Sequence, residues 1–256
     1  MKSDELIFLH YKKNFNLNIG KRTGNYENFE EKKLIFSDLI LNQCSLLVSN
    51  VIELHEKNQR NGVKWLQSCL ITRFLFESVA NFSILKNTND QDLTNERWRK
   101  WLYLRDLQIY ENNTYGISLN NLPEKTLKRI KKNKADTYRS YHNRDKNDKK
   151  NLQEYIKLEN EHFSFDDPWG LTMFQKMQYI DLSDSSVFLS RWRMYSQIAH
   201  ASSFSFWPMW IDPVPVTDAV QCISILFKTA YKELNIEFDT NNFTDSLFDL
   251  IFNSNS

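Results

Sequence analysis

The sequence predicts an all-α, multi-helix bundle. Apolar residues recur at helical spacing through most of the chain, glycine and proline number only five each, and Leu, Ile, Lys and Glu are plentiful. So few turn-forming residues do not suit the many tight turns of a sandwich or barrel. Of the 256 residues, 41 % are hydrophobic and 25 % charged, a globular composition that sets aside the disordered and fibrous classes. Lys plus Arg (33) and Asp plus Glu (32) nearly cancel, so the global charge marks neither a nucleic-acid nor a membrane binder.

The elements follow in order. Residues 1–25 form an N-terminal arm with a short helix over 4–13, and the connector bearing Gly20 and Gly24 predicts weak packing. Residues 26–256 constitute a single helical domain with a basic insertion at 125–150, since no repeat or low-complexity linker divides them. Over 26–57, Leu34, Ile35, Leu39, Ile40, Leu46, Leu47, Val51 and Leu54 mark a helix that Asn61-Gly62 stops. The next helix, 63–86, is apolar around most of its circumference, as a central bundle helix must be. A helix over 95–110 follows, then loop signals at Asn112-Asn113 and Asn120 to Pro123. Further helices are expected at 150–163, at 168–179 behind Asp167 and Pro168, and at about 184–203. The last two are expected from a Thr217 cap to 234 and over 240–252. The aromatic loop containing Phe204, Phe206, Trp207 and Trp210 serves as a core lid, a dimer contact or a base-stacking surface.

Cys44, Cys69 and Cys222 are odd in number, far apart and in apolar surroundings, which predicts reduced core thiols and an intracellular protein. No metal or cofactor site is expected: the sequence has no pair of histidines at metal spacing, no Cys-x-x-Cys, no Gly-rich phosphate loop and no nucleophile elbow. No secretory signal and no run of 18 uncharged apolar residues occur, so a cytoplasmic protein without a membrane partner is expected.

Three polar residues interrupt the apolar helix at 63–86. Arg73, Glu77 and Asn81 stand four residues apart, so their side chains meet along one stripe. One reading is an internal ion pair with a packing amide, and the other is the lining of a cleft. The stretch 125–150 carries eleven Lys or Arg against three Asp, a local net charge of +8, with Tyr138, Tyr141 and His142 interleaved. A solvated insertion between helices explains it, and so does an RNA-binding segment in which Lys128, Arg129, Lys131, Lys132, Lys134 and Arg139 grip phosphates.

Among the five histidines, His10, His55, His142 and His162 lie in polar contexts and are expected at the surface, whereas His200 follows Arg193 by seven residues, about two turns. Both then share a helix face, with Ser196 and Gln197 one turn before the histidine. An imidazole beside a guanidinium and a hydroxyl is a workable set for phosphodiester chemistry.

The Arg193-x6-His200 spacing resembles the motif of HEPN-type ribonucleases, although Met194 stands where those enzymes usually carry a polar residue. Over residues 60–230 the order of features resembles a bacterial helical family, domain of unknown function 5677. The matching pieces are Arg73-x3-Glu77 with Asn81, Pro168-Trp169-Gly170, and Tyr195-Ser196-x3-His200-x-Ser202. The resemblance implies a HEPN-like layout, a metal-independent endoribonuclease with toxin or phage-defence roles, and a homodimer pairing its motif helices. Packing of the two polar helices would bring Arg73, Glu77 and Asn81 opposite Arg193, Ser196 and His200. Glu77 would then orient His200 or pair with Arg193. The alternative is a non-catalytic adaptor that binds RNA or a protein partner, in which the same cluster is a satisfied polar network.

Overall fold

The computed structural model describes residues 2–15, 29–57, 62–86, 90–98, 101, 124, 169, 171–180, 185–200, 214–233 and 237–253. The protein is all-α: 91 % of the described residues are helical, and no strand occurs among them. The chain separates into two compact units, Met1–Asn87 with Met173–Ser256, and Thr88–Thr172.

The first unit is a bundle around one central helix. Its elements are α1 (Ser3–Phe15), α2 (Phe29–Lys57), α3 (Gly62–Lys86), the short α4 (Met173–Met177), α5 (Ser185–Ala199), α6 (Val214–Glu233) and α7 (Thr240–Phe248). A π-helical turn, Asp249–Asn253, extends α7. Helix α3 packs against α2, α4, α5 and α6, which is why apolar residues surround it. Leu75, Phe76, Val79, Ala80, Phe82, Ile84 and Leu85 are buried along it. Full burial of such an aliphatic or phenyl side chain is worth about 1.5–3 kcal/mol, so the seams of α3 contribute much of the stability of the bundle. Segments of α2 (Lys33–His55) and α3 (Gly62–Lys86) are long and apolar enough to cross a membrane, and 61 % of the α3 segment is buried inside the bundle. A core helix meets the same length and composition test.

Several boundaries differ from the sequence expectations for local reasons. Helix α6 begins at Val214, so Thr217 lies within its first turn instead of capping it. Pro215 is tolerated there because the first N–H groups of a helix need no intrahelical partner. The helix expected at 168–179 is confined to Met173–Met177, with a turn at Trp169 before it. Helix α7 starts where expected: the Asp239 carboxylate accepts from the Asn242 N–H at 3.0 Å, a side-chain cap.

Helix α1 packs more closely than its connector suggests. Leu6, Ile7 and Tyr11 enter the common core, and the Tyr11 hydroxyl donates to Asp38 Oδ1 at 2.7 Å in a buried site. His10, expected at the surface, is half-buried among Phe227, Phe238 and Phe243, whose ring centroids lie 6.4, 5.9 and 4.8 Å from its own. Its Nδ1 is 3.4 Å from the Tyr231 hydroxyl. His55 is also half-buried, 5.5 Å from the Phe252 ring.

Within the second unit, Asp90 Oδ1 accepts from the N–H groups of Asp92 and Leu93 at 3.0 and 3.1 Å and caps a helical run over 91–98. Trp98 is buried and meets Trp101 edge-on at 5.7 Å. The Trp169 indole N–H donates to the Arg97 carbonyl at 3.3 Å. The basic stretch 125–150, the helix expected at 150–163 and the aromatic loop 204–210 lie outside the described residues.

Candidate functional site

The polar stripe of α3 is bonded along its length. Arg73 Nε donates to Glu77 Oε1 at 3.2 Å, the i, i+4 pairing that helix geometry favours. The same carboxylate oxygen accepts the Trp192 indole N–H of α5 at 3.2 Å. One turn further on, Lys176 Nζ of α4 donates to Asn81 Oδ1 at 3.0 Å. The stripe therefore faces α4 and α5, and each of its members is engaged.

Helix α5 presents two faces. Phe188, Leu189, Tyr195 and Ile198 are buried against the bundle, with Phe188 4.2 Å from the Phe76 ring of α3. Arg193 and His200 are both exposed, and at a separation of about two turns they share one side of the helix. Ser196 is half-buried, and its carbonyl accepts the His200 N–H at 3.1 Å, so the histidine sits on the last helical turn. Neither the Arg193 nor the His200 side chain has a hydrogen bond or ion pair among the described residues.

The structure thus brings Arg73 to Glu77, and α5 against α3, but the α5 residue at Glu77 is Trp192. Arg193 and His200 turn outward. Lys128, Arg129, Lys131, Lys132, Lys134 and Arg139 lie outside the described residues. Among the described residues, no group of three or more His, Cys, Asp or Glu is placed to hold a metal ion.

Below α5 lies a buried polar contact that sequence reasoning did not single out. Tyr195 Oη donates to Asp218 Oδ2 of α6 at 2.5 Å, with both residues buried. Burial, then the neighbouring Asp218 carboxylate, pushes the Tyr195 hydroxyl well above its ordinary value, so it stays a donor. The Thr72 hydroxyl of α3 donates to the carbonyl of Pro215, three residues before Asp218 on α6, at 3.2 Å. The signal for Asp218 was present: it is a lone carboxylate among Val216, Ala219, Val220 and Cys222 of an apolar helix. The three cysteines are free and buried, and burial raises each thiol, Cys44 to about 12.

A cavity of about 630 Å³ lies elsewhere, where α6 meets α7, lined by Lys228, Glu237, Phe238, Asp239, Thr240 and Asn241. None of the residues singled out from the sequence lines it. No protein-family model, no curated protein and no solved structure matches the chain.

Proposed function

We propose that the protein is a metal-independent endoribonuclease of HEPN type, suited to a toxin or phage-defence effector, with Arg193 and His200 of α5 as its catalytic residues. The observation that carries this reading is their common exposed face, on which neither side chain is committed to another group of the described chain. His200 removes the proton from a ribose 2′-hydroxyl, and the 2′-oxygen attacks the adjacent phosphorus. The bond from phosphorus to the 5′-oxygen breaks, and that oxygen leaves with a proton taken from water. Arg193 holds the charged phosphate oxygens, and the Ser196 hydroxyl is a further donor on the same side. The products are a 2′,3′-cyclic phosphate and a free 5′-hydroxyl. Arg73 and Glu77 support the site from α3 through Trp192 instead of touching RNA. The basic stretch 125–150 supplies the non-specific phosphate grip, and a homodimer places two α5 helices around one strand.

The test is cleavage of total and transfer RNA by the purified protein in EDTA. Cyclic phosphate ends from the wild type, with His200→Ala and Arg193→Ala folded and inert, are the expected result. Cleavage unchanged in both variants would refute the assignment.

A second reading, a non-catalytic adaptor, is favoured by one feature of α3. Val63, Leu70 and Phe74 follow one helix face and are 65, 46 and 50 % exposed, an apolar stripe open to a protein partner. It predicts salt-sensitive RNA retention or partner capture without any cleavage.

A further inference from the structure

We infer that Trp192 and Tyr195 are positioning residues, two tethers that set the rotation of α5 about its own axis and so determine where Arg193 and His200 point. The inference rests on the nuclease reading of those two residues. Its basis is geometric. The tethers stand three residues apart, so they leave α5 in neighbouring directions and reach different helices. Trp192 Nε1 donates to Glu77 Oε1 of α3 at 3.2 Å, and Tyr195 Oη donates to Asp218 Oδ2 of α6 at 2.5 Å.

A helix held by apolar contacts alone can roll, because such contacts have no preferred direction. Two directional hydrogen bonds to separate partners remove that freedom. Glu77 is itself held by Arg73 Nε on the oxygen that takes the indole, so the first tether is anchored on α3. Arg193 directly follows Trp192 and His200 lies five residues after Tyr195, so a roll of α5 displaces both. A displacement of about 1 Å at a reacting group can cost on the order of 100-fold in rate. Trp192 and Tyr195 touch no substrate in this scheme, since their polar atoms are engaged by Glu77 and Asp218.

Three variants separate positioning from simple structural support. Trp192→Phe removes the indole donor and keeps the ring. Tyr195→Phe removes the hydroxyl, and Glu77→Gln keeps an oxygen for the indole while weakening the ion pair. Nitroxide labels on Gln67→Cys of α3 and Ser190→Cys of α5, both exposed positions, report the rotation of α5 by pulsed electron resonance. The native thiols are buried and stay unlabelled.

The expected result is a fall in kcat of ~10- to 100-fold for Trp192→Phe and Tyr195→Phe with little change in KM, and a smaller fall for Glu77→Gln, which keeps the acceptor oxygen of the indole but loosens its anchor. The label distance should shift or broaden in the first two variants, and less in the third. Unchanged distances in both Trp192→Phe and Tyr195→Phe would overturn the inference, as would activity that falls only with the folded fraction. If the wild type cuts no RNA, the nuclease reading fails on its own, and the distances still decide whether the tethers set the rotation.

Discussion

The Tyr195 hydroxyl and the Asp218 carboxylate meet at 2.5 Å in the buried seam between α5 and α6. A carboxylate in such a place is tolerated only with donors, and the phenol is one of them. Tyr195→Phe therefore lowers the unfolding free energy by ~1–3 kcal/mol, the usual penalty for leaving a buried polar group without its partner. Urea denaturation with an unchanged slope checks it. A double-mutant cycle with Asp218→Asn should return a coupling of at least ~0.5 kcal/mol, and a coupling of zero would show that the contact contributes nothing.

Helix α1 is part of the core. Ile7→Ala should cost ~2–5 kcal/mol, as cavity-forming substitutions do, whereas Leu9→Ala, at an exposed position of the same helix, should stay within ~0.5 kcal/mol. Tyr11→Phe, which strips Asp38 of a buried donor, should also loosen α1. Limited proteolysis near the N-terminus reads the difference: rapid clipping in Ile7→Ala and Tyr11→Phe but not in Leu9→Ala is expected.

The buried thiols make stability fall at alkaline pH. Burial raises Cys44 from 9.0 to about 12 in the folded chain, so folded and unfolded states bind its proton equally below about 9. Above that pH the unfolded thiol ionises first, and the unfolded state gains. The Cys44 contribution is complete below pH 9 and is lost progressively as the pH rises toward 12. The Cys44→Ser/Cys69→Ser/Cys222→Ser protein should show a shallower alkaline slope in thermal unfolding. In the native wild type, all three thiols should react with a thiol reagent only at the rate of unfolding.

The Arg73–Glu77 pair and the Glu77–Trp192 bond share one oxygen but differ in worth. The ion pair is partly exposed, 28 and 39 % at the two side chains, so Arg73→Ala should cost no more than ~0.5 kcal/mol and less in high salt. Glu77→Ala also removes the acceptor of Trp192, and its cost should exceed that of Arg73→Ala by ~0.5–1.5 kcal/mol. Parallel denaturation curves at low and high salt distinguish them. Equal costs would mean that the indole bond does not contribute.

How much of this was legible in the sequence depends on the range of the interaction. The all-α class, the course of α2 and α3 and the start of the last helix at 240 were readable, because backbone propensity and apolar period act within a turn or two. The stripe of Arg73, Glu77 and Asn81 was readable for the same reason, since side chains four apart on a helix must be neighbours. So was the common face of Arg193 and His200. The Thr217 boundary was misplaced because a proline in the first turn of α6 costs the helix nothing.

What only the tertiary structure decided is which faces meet. Helical periodicity says which residues share a side but leaves the rotation of one helix against another undetermined; the contacts across the seams, Phe188 on Phe76, Trp192 on Glu77 and Tyr195 on Asp218, set it. That rotation turns Arg193 and His200 to solvent. The tertiary structure also places His10, between the apolar run Leu6–Leu9 and two lysines, among phenylalanines more than 200 residues away, and pairs Tyr195 with Asp218. The physical reason is the same in each case: a local sequence fixes directions along one helix, and the partner across a seam is selected by the apolar area that the whole bundle removes from water.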